Sequence, residues 1–300
     1  MALIPLNTFK TKTAVLTTLK YNQAKCARDT ALIIDSIASD LLYGGTTQTA
    51  FAAIQYWAQG NVKIPGEVFQ TISAMQYAKE IALKALNDGF RYFIAVGGDG
   101  TINEVGSVLK NKDAVLGMIP MGSGNGLAKH IGMSTDIETA IMQLCDASES
   151  RIDTLTINDR FSVNVSGFGF DGYVAYKFNH HGKRGLSTYT KIGLTEYFRY
   201  PLQEFEITLD NQTKQVKKHM LVIANASQFG NAAIIAPTAD LTDGKLELVA
   251  VELPPVLNIP GILYRLFSGK LKDNKYIQTY KCKSFIAKSN KPVHLPIFAI

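Results

Sequence analysis

The spacing of apolar and polar positions changes about halfway along the chain. In the first half, short apolar runs alternate with stretches of helical spacing. The predicted strands are 31–35, 67–71, 92–96 and 114–119, and the predicted helices are 48–59, 75–86, 102–109 and one from about 126. Strands that alternate with helices predict a parallel sheet covered by helices. Residues 1–28 lack a clear pattern and are expected to form an extension or a first helix.

After about residue 150, strict alternation dominates and few helical stretches remain. The predicted strands are 152–157, 161–165, 205–209, 220–224, 246–251 and 276–287. Alternation of this kind predicts mostly antiparallel pairing. We therefore expect an α/β domain over residues 1–148 and a second, mostly antiparallel domain over residues 149–300.

Composition narrows the class of protein. Hydrophobic residues make up 46% of the chain and charged residues 19%, which suits a packed core and not a disordered chain. No apolar run reaches the roughly 18 residues of a transmembrane helix, and the first residues lack the features of a secretory signal. The three cysteines, Cys26, Cys145 and Cys282, form no disulfide framework, which predicts a cytoplasmic location.

The net charge of +6 is concentrated near the end of the chain. Residues 265–300 hold eight Lys or Arg against one acid, Asp273, whereas the rest holds 23 basic and 24 acidic residues. A solvated strand face is the favoured interpretation, and an anionic membrane surface is the alternative. The apolar stretch 253–267 precedes this block and could rest on a bilayer with it, although core and loop are favoured. No recognition motif supports nucleic-acid binding, which we do not expect.

A glycine-rich loop, Gly97-Gly98-Asp99-Gly100-Thr101, follows a predicted strand and opens a helix. Glycines let backbone N–H groups approach phosphate oxygens, and a helix N-terminus adds positive potential. Asp99 can hold a divalent metal or orient a phosphate-bound water, and Thr101 and Asn103 can donate to phosphate. The alternative is a tight strand–helix turn in which Asp99 is the helix N-cap.

A second glycine loop, at 120–128 (PMGSGNGLA), repeats this design one strand later. Two such loops at successive strand ends line one cleft, where α/β sheets bind ligands. Ser123 and Asn125 are candidate donors to a nucleotide, candidate helix caps, or both.

Other templates are absent or weak. The chain has no GxxxxGK[ST] phosphate loop and no GxSxG nucleophile elbow, and its histidines lack zinc-ligand spacing. A literal GxGxxG at 167–172 lies in the antiparallel half, has bulky phenylalanines and is not followed by a helical βαβ pattern, so a dinucleotide site is not favoured. Asp243-Gly244 predicts a turn, or else a small oxygen-ligand magnesium site at Asp243.

The two loops, GGDGTINEV at 97–105 and PMGSGNGLAKHIGM at 120–133, resemble the diacylglycerol kinase catalytic-domain family, which includes sphingosine, ceramide and bacterial lipid kinases. The likeness continues through 164–175, 183–191, 224–237 and 241–249, and it covers roughly residues 63 to 290. It implies a nucleotide-binding α/β domain with a parallel sheet, a C-terminal antiparallel β-sandwich domain, and an active site in the cleft between them.

The resemblance also implies roles for single residues. Asp99 is the candidate catalytic residue and would lie near the metal. Asp243 would bind Mg²⁺ together with main-chain oxygens of Asp240 and Lys245. The implied ATP-binding residues are Thr71 (with Ser73 as an alternative), Gly97, Gly98, Asp99, Gly100, Thr101, Ile102, Asn103, Gly122, Ser123 and Asn125.

The sequence departs from the family pattern at two places. The family's NPxxG loop after the first strand is replaced by 35–39 (DSIAS), which has no glycine. The family's late Asp-Gly-Glu, whose glutamate is the proposed general base, is not found, since no acid follows Asp273. We expect the second domain to lack the family's final strands, in a truncated, altered or degenerate member.

These observations lead to one hypothesis and two alternatives. The hypothesis is an ATP- and Mg²⁺-dependent lipid kinase that phosphorylates a hydroxyl of a diacylglycerol-like or sphingoid membrane lipid. It would be cytoplasmic, with peripheral membrane contact through 253–291. The alternatives are a nucleotide- or membrane-binding protein without turnover, and an NAD kinase-like enzyme with a soluble substrate. The GSGNGLA segment favours the lipid branch.

Overall fold

The computed structural model describes residues 2–5, 16–17, 30–35, 68–71, 77–145, 147–179 and 186–289. Their first half forms a mixed sheet with strand order β2-β7-β1-β6-β5-β3-β4. Its strands are β1 Ala2–Pro5, β2 Leu16–Thr17, β3 Thr30–Asp35, β4 Val68–Thr71, β5 Tyr92–Gly97, β6 Val115–Pro120 and β7 Ser148–Ser150. The helices of this half are α1 Tyr77–Asn87, α2 Asp99–Leu109, α3 Gly126–His130 and α4 Ile137–Cys145.

Four strands of this sheet are parallel, which confirms the predicted parallel sheet. β4 pairs with β3, β3 with β5 and β5 with β6, all in parallel. Every residue of β5 and β6 is buried, as expected for strands covered on both faces. The carboxyl ends of the four strands therefore meet at one edge, where Thr71 pairs with Asp35 and Gly97 with Pro120.

Some elements differ from the sequence pattern. Within residues 1–28, the structure has β1 and β2 in place of an expected extension or helix; β1 pairs antiparallel with β6. Helix α2 begins at Asp99, three residues before the predicted start, because the glycine loop turns directly into the helix. The predicted helix 48–59 lies outside the described residues.

The second half forms a β-sandwich, which confirms the antiparallel prediction. One sheet has the order β10-β13-β14-β15, a second has β12-β11-β16, and β8 and β9 form a hairpin. Its strands are β8 Leu155–Ile157, β9 Arg160–Ser162, β10 Val165–Gly169, β11 Gln203–Leu209, β12 Gln212–Lys218, β13 Met220–Ala224, β14 Leu246–Val251, β15 Ile277–Cys282 and β16 Phe285–Ser289. The helices are α5 Phe170–Asn179, α6 Leu186–Tyr197 and α7 Ile259–Phe267.

The sandwich core lies between its two larger sheets. Phe205 of β11 is fully buried and meets Phe168 of β10 edge to face, with ring centroids 5.7 Å apart. A second apolar cluster covers the other face of the four-stranded sheet, and Ile262 and Leu266 of α7 pack against it. The division predicted at 148/149 stays a prediction.

Two strands of the sandwich show what the apolar pattern missed. β12 is polar and mostly exposed, so it has no hydrophobic signature. It forms because Asp210 and Asn211 both have positive φ, as a tight hairpin turn requires. The predicted strand 276–287 is divided into β15 and β16, since Asp210 accepts hydrogen bonds from Lys283 and Ser284 at the break.

In the part of the chain that the structure describes, no helix has the length and apolar character needed to cross a bilayer.

Candidate active site

The two glycine loops touch backbone to backbone. They leave adjacent strands in register at Gly97 and Pro120, and the Met121 N–H donates to the Gly97 carbonyl at 2.9 Å. A Cβ built on Gly122 would lie 2.5 Å from the Cα of Gly98, closer than atoms in proteins approach. Both positions therefore require glycine for the loops to meet.

Asn125 closes the second loop on itself. Its Oδ1 accepts from the Gly122 N–H at 2.8 Å, and its Nδ2 donates to the Gly122 carbonyl at 2.7 Å. The residue is buried and left-handed, with φ of 53°, a conformation that asparagine tolerates better than most residues. Its side chain therefore shapes the loop and does not cap helix α3.

Asp99 links the first loop to the second. Its Oδ2 accepts from the Gly126 N–H at 2.9 Å, and its Oδ1 accepts from the Leu127 N–H at 3.1 Å and from Asn164 Nδ2 at 3.2 Å. Asp99 is thus the first residue of α2 but binds the N-terminal amides of α3. Burial raises the pKa of Asp99, and the hydrogen bonds from Gly126 and Leu127 only partly oppose this effect.

The residues after Asp99 divide into a buried and an accessible group. Thr101, Ile102 and Asn103 are buried in the first turns of α2, and Asn103 Nδ2 donates to the Phe161 carbonyl at 3.2 Å. Gly100 is only partly buried, and apart from its chain neighbours and its own helix no atom of the described residues lies within 4 Å of a Cβ built on it.

Ser123 is exposed in the second loop. Of the predicted nucleotide residues in 97–103 and 122–125, those that remain at least partly accessible are Gly98, Gly100, Gly122 and Ser123. Thr71 ends β4 at the same sheet edge, two strands from β5, and Ser73 lies outside the described residues.

A segment of the second domain seals the back of the second loop. Gly230 packs on Gly124 so closely that a Cβ there would lie 2.5 Å from the Gly124 Cα, and the Asn231 N–H donates to the Gly124 carbonyl at 3.1 Å. Gly230 also has φ of +118°. Sequence reasoning assigned no role to these residues, although the segment 224–237 carried part of the family resemblance.

His130 and Ser227 form a second link between the domains. The His130 Nδ1 accepts from the Ser227 N–H at 3.0 Å, so this nitrogen carries no proton and also accepts from the Ser227 hydroxyl at 2.8 Å. Burial lowers the pKa of His130, and the charge of Asp240 opposes that shift.

Buried amides connect these contacts to the sandwich. Asn225 Nδ2 donates to the carbonyls of Asp153 and Val163 at 2.8 and 2.9 Å. The side-chain oxygens of Asn164, Asn225 and Gln228 are buried with no hydrogen-bond partner among the described residues. Such acceptors are usually satisfied by ordered water.

The predicted magnesium residues lie in the turn before β14. Asp240 Oδ1 accepts from the N–H and hydroxyl of Thr242, and Asp243 Oδ1 accepts from the Lys245 N–H at 3.0 Å. Asp243 Oδ2 is held by Lys281 Nζ at 3.1 Å. The described residues contain no cluster of three His, Cys, Asp or Glu side chains that could hold a metal.

Lys281 also serves a second carboxylate. Its Nζ lies 3.5 Å from Glu247 Oε1, and the Glu247 side chain is only 2% exposed. Burial works to lower the pKa of Lys281, but the hydrogen bonds and charges of Asp243 and Glu247 outweigh it and raise the pKa. The Lys281 ammonium therefore binds the Asp243 Oδ2 that a divalent cation would also need. This arrangement does not fit an open magnesium site.

The GxGxxG segment contains a helix start that the sequence pattern did not predict. Helix α5 begins within the segment, at Phe170. Phe170 and Tyr173 point one helical turn apart toward Tyr200, which supplies the aromatic packing that stabilises this helix. Its strand, β10, pairs antiparallel with β13, so the segment is not a dinucleotide-binding unit.

Comparison with known proteins agrees with this arrangement. Residues 46–157 match the diacylglycerol kinase catalytic domain, and residues 164–298 match the YegS C-terminal NAD kinase beta sandwich-like domain. The two matches together span most of the chain. Residues 46–157 therefore match the diacylglycerol kinase catalytic-domain family, and the residues after them match a domain family of YegS-type proteins.

Individual relatives of this kinase family are distant. The chain is 28% identical over 177 residues to the "Probable lipid kinase YegS-like" protein of Chromohalobacter salexigens, covering 57% of each chain. It is 26% identical over 220 residues to the diacylglycerol kinase of Staphylococcus saprophyticus, covering 72% of each. The match spans 57% and 49% of the length of two of the curated relatives, so less than two thirds of each.

A solved structure extends the likeness to the fold. The chain superimposes on a diacylglycerol kinase from Bacillus anthracis with a TM-score of 0.67, 17% sequence identity, and coverage of 90% of this chain and 89% of that chain. The likeness to that structure therefore extends over the fold of both the α/β half and the sandwich.

We predict that Asp99→Ala destabilises the protein by about 3 kcal/mol or more. The change leaves three buried donors without an acceptor, and each such donor costs about 1–3 kcal/mol. Chemical denaturation would measure the loss. Asp136→Ala is the matched control, because Asp136 also accepts from a helix N-terminus, at the Thr139 N–H, but is exposed. Equal losses in the two variants would contradict the linking role of Asp99.

We predict that His130→Asn weakens the acid sensitivity of folding. Histidine in the unfolded chain titrates near 6.5, and folding lowers the pKa of His130, so the unfolded state binds more protons below about pH 6.5. The free energy of unfolding should therefore fall as the pH falls through this window. Asparagine keeps an acceptor for the Ser227 N–H but does not titrate, so its pH profile should be flatter.

Denaturation of wild type and His130→Asn between about pH 5 and 8 would check this. The pKa of His219 is also lowered by burial, so His219→Asn should flatten the same window separately. A profile of His130→Asn that runs parallel to wild type would show that the His130–Ser227 link does not titrate.

We predict that Lys281→Met makes the fold sensitive to divalent cations. Without the ammonium, Asp243 and the buried Glu247 lose their counter-charge. The free energy of unfolding should fall by about 2 kcal/mol, which is less than for a fully buried pair because the Lys281 side chain is 39% exposed. Added Mg²⁺ should raise the melting temperature of this variant but not that of wild type. Lys288→Met is the control, since Lys288 pairs with Glu206 on the open surface. Loss of wild-type stability in EDTA would instead support a bound metal at Asp243.

Proposed function

We propose that the chain is an ATP-dependent kinase that transfers the γ-phosphoryl group to a hydroxyl of a membrane lipid. The observation that carries this proposal is the contact of two glycine loops at the carboxyl ends of adjacent parallel strands. Membership of the lipid kinase family supports the reaction class.

The phosphates of ATP would be held by backbone groups. The N-terminus of α2 begins at Asp99, and its first ladder bond runs from the Ile102 N–H to the Gly98 carbonyl. The amides before Ile102 precede the helical ladder, and a helix start of this kind attracts phosphate. Gly100 leaves open space for a phosphate oxygen, and the exposed Ser123 hydroxyl lies on the facing loop.

Catalysis in this reaction class depends on positioning and on neutralising phosphate charge. The interlocked loops fix the backbone donors, because Asp99 binds the Gly126 N–H and Asn125 binds Gly122. ATP would supply the transferable phosphoryl group, and Mg²⁺ would be its counter-ion. Asp99 accepts from three donors and Asp243 is bound to Lys281, so we propose neither carboxylate as the base that takes the hydroxyl proton.

A lipid acceptor requires the chain to reach a membrane surface. We propose that this contact is peripheral and runs through residues 253–291. The exposed apolar and basic side chains in the described part of that segment support it.

We predict that Gly100→Ala weakens ATP binding about tenfold or more without lowering stability. Outside its own helix, the added methyl meets no atom of the described residues within 4 Å, and alanine favours the helix, but the methyl would occupy the space proposed for phosphate. Isothermal titration with ATP and Mg²⁺, together with thermal melting, would check both parts. Gly193→Ala in α6 is the matched control, because its methyl likewise meets no described atom outside its own helix.

Transfer should be measured with radiolabelled ATP, Mg²⁺ and mixed micelles of diacylglycerol, phosphatidylglycerol, ceramide and sphingoid base. Label in the lipid extract, reduced in Gly100→Ala and not in Gly193→Ala, is the expected result. ATP binding without transfer to any lipid would instead support a binding protein without turnover. Label transferred to NAD and to no lipid would move the chain to the soluble-substrate alternative.

A further inference from the structure

Helix α7 has apolar side chains on two opposite sides. On its inner side, Ile262 and Leu266 pack against the outer face of the four-stranded sheet. The Leu266 carbonyl also accepts from the Ile234 N–H at 3.0 Å. The helix is therefore firmly attached to the sandwich, yet no residue of it is fully buried.

The outer side of α7 and the turn before it expose large apolar side chains to solvent. Leu257 is 94% exposed and Tyr264 is 65% exposed, and three further apolar residues are about half exposed. The outer apolar face consists of Val256, Leu257, Leu263, Tyr264 and Phe267. A cluster of this kind on a helix and its leading turn marks an interaction surface more often than a scatter of single residues does.

Basic residues lie next to this outer apolar face along the chain, within its last helical turn and in the residues that follow it. Between positions 265 and 275, the exposed charged side chains are Arg265, Lys270, Lys272, Lys275 and one acid, Asp273. Asp273 accepts from the Thr279 N–H, so part of its capacity is used within the chain. The later lysines of the basic block differ: Lys281 and Lys288 lie on sandwich strands and pair with Glu247 and Glu206.

We propose that the outer apolar face of α7 rests on an anionic lipid bilayer. This inference deepens the proposed lipid-kinase function and rests on it for the choice of a lipid as partner. The apolar side chains would enter the boundary between headgroups and acyl chains, and the bordering cations would meet anionic headgroups.

The length and charge of the helix define how it would lie. Nine residues rise about 14 Å, roughly half the hydrocarbon thickness, so α7 would lie in the plane of the surface. A second copy of the chain suits the face less well, because two copies would bring their basic borders together. An anionic bilayer has the charge opposite to that of these basic residues, and it can also take up the apolar face.

Binding to vesicles tests this proposal without relying on catalysis. Wild-type chain should sediment with vesicles of phosphatidylglycerol and phosphatidylcholine, and weakly with phosphatidylcholine alone. Salt of about 1 M, where the Debye length is about 3 Å, should weaken the binding. Leu257→Glu should weaken vesicle binding at least about tenfold, because it places a carboxylate in the apolar face without disturbing the core.

Leu83→Glu is the control, since Leu83 is 51% exposed on α1 of the other domain. It should bind vesicles like wild type. Equal binding by Leu257→Glu and wild type would overturn the proposal. A wild-type dimer in sedimentation velocity that Leu257→Glu converts to monomer would also overturn it, because the face would then bind a second copy.

A water-soluble short-chain lipid separates this proposal from the proposed function. Leu257→Glu should phosphorylate the soluble substrate as wild type does but lose activity on the same lipid in anionic vesicles. If wild type phosphorylates neither substrate while still binding vesicles through α7, the kinase proposal fails and the membrane surface stands.

Discussion

The contact between Gly98 and Gly122 is the constraint on which the site depends. Two strand ends in register bring two loops to the same point, and a single methyl group on Gly122 would separate them. Once the loops touch, the Asp99 carboxylate reaches the amides of Gly126 and Leu127. The second domain then closes on the same loop through Gly230 and through the His130–Ser227 link. The site is thus a junction of backbones, and its side chains mainly hold those backbones in place.

This arrangement explains why a carboxylate can stay buried between two helix starts. Asp99 accepts hydrogen bonds from amides at the N-terminus of α3, where the helix dipole stabilises a negative charge, and Asn164 adds a third donor. The cost of desolvation still raises its pKa. An acid held by three donors at a domain junction suits alignment of the loops better than proton transfer. The start of α2 is the part of the first loop for which we propose a contact with phosphate.

The sequence was sufficient for the parts that depend on local pattern. The buried runs of β5 and β6 and the glycines after them predicted a parallel sheet with two loops at one edge, and the structure has both. The partners of Asp99 were not predictable, because its donors lie 27, 28 and 65 residues away and depend on how the domains pack. Lys281 was likewise hidden: it lies 38 residues after Asp243, and only the pairing of β14 with β15 brings them together. Helix α5 was missed because its aromatic residues pack on α6, which the periodicity of the segment alone does not reveal.

A motif residue and a ligand-contacting residue are therefore different things in this chain. Asp99, Asn103 and Asn125 form hydrogen bonds that hold the loops and α2 in place. Each has a partner within the protein that accounts for its identity. Gly100 differs from these residues, because no contact with the described part of the chain requires a glycine there. The same reasoning applies to α7, whose inner apolar side is explained by the sheet beneath it and whose outer side is not. Both features have chemistry that the folded chain itself does not use. We have proposed a phosphate group as the partner at Gly100 and an anionic lipid surface as the partner of α7.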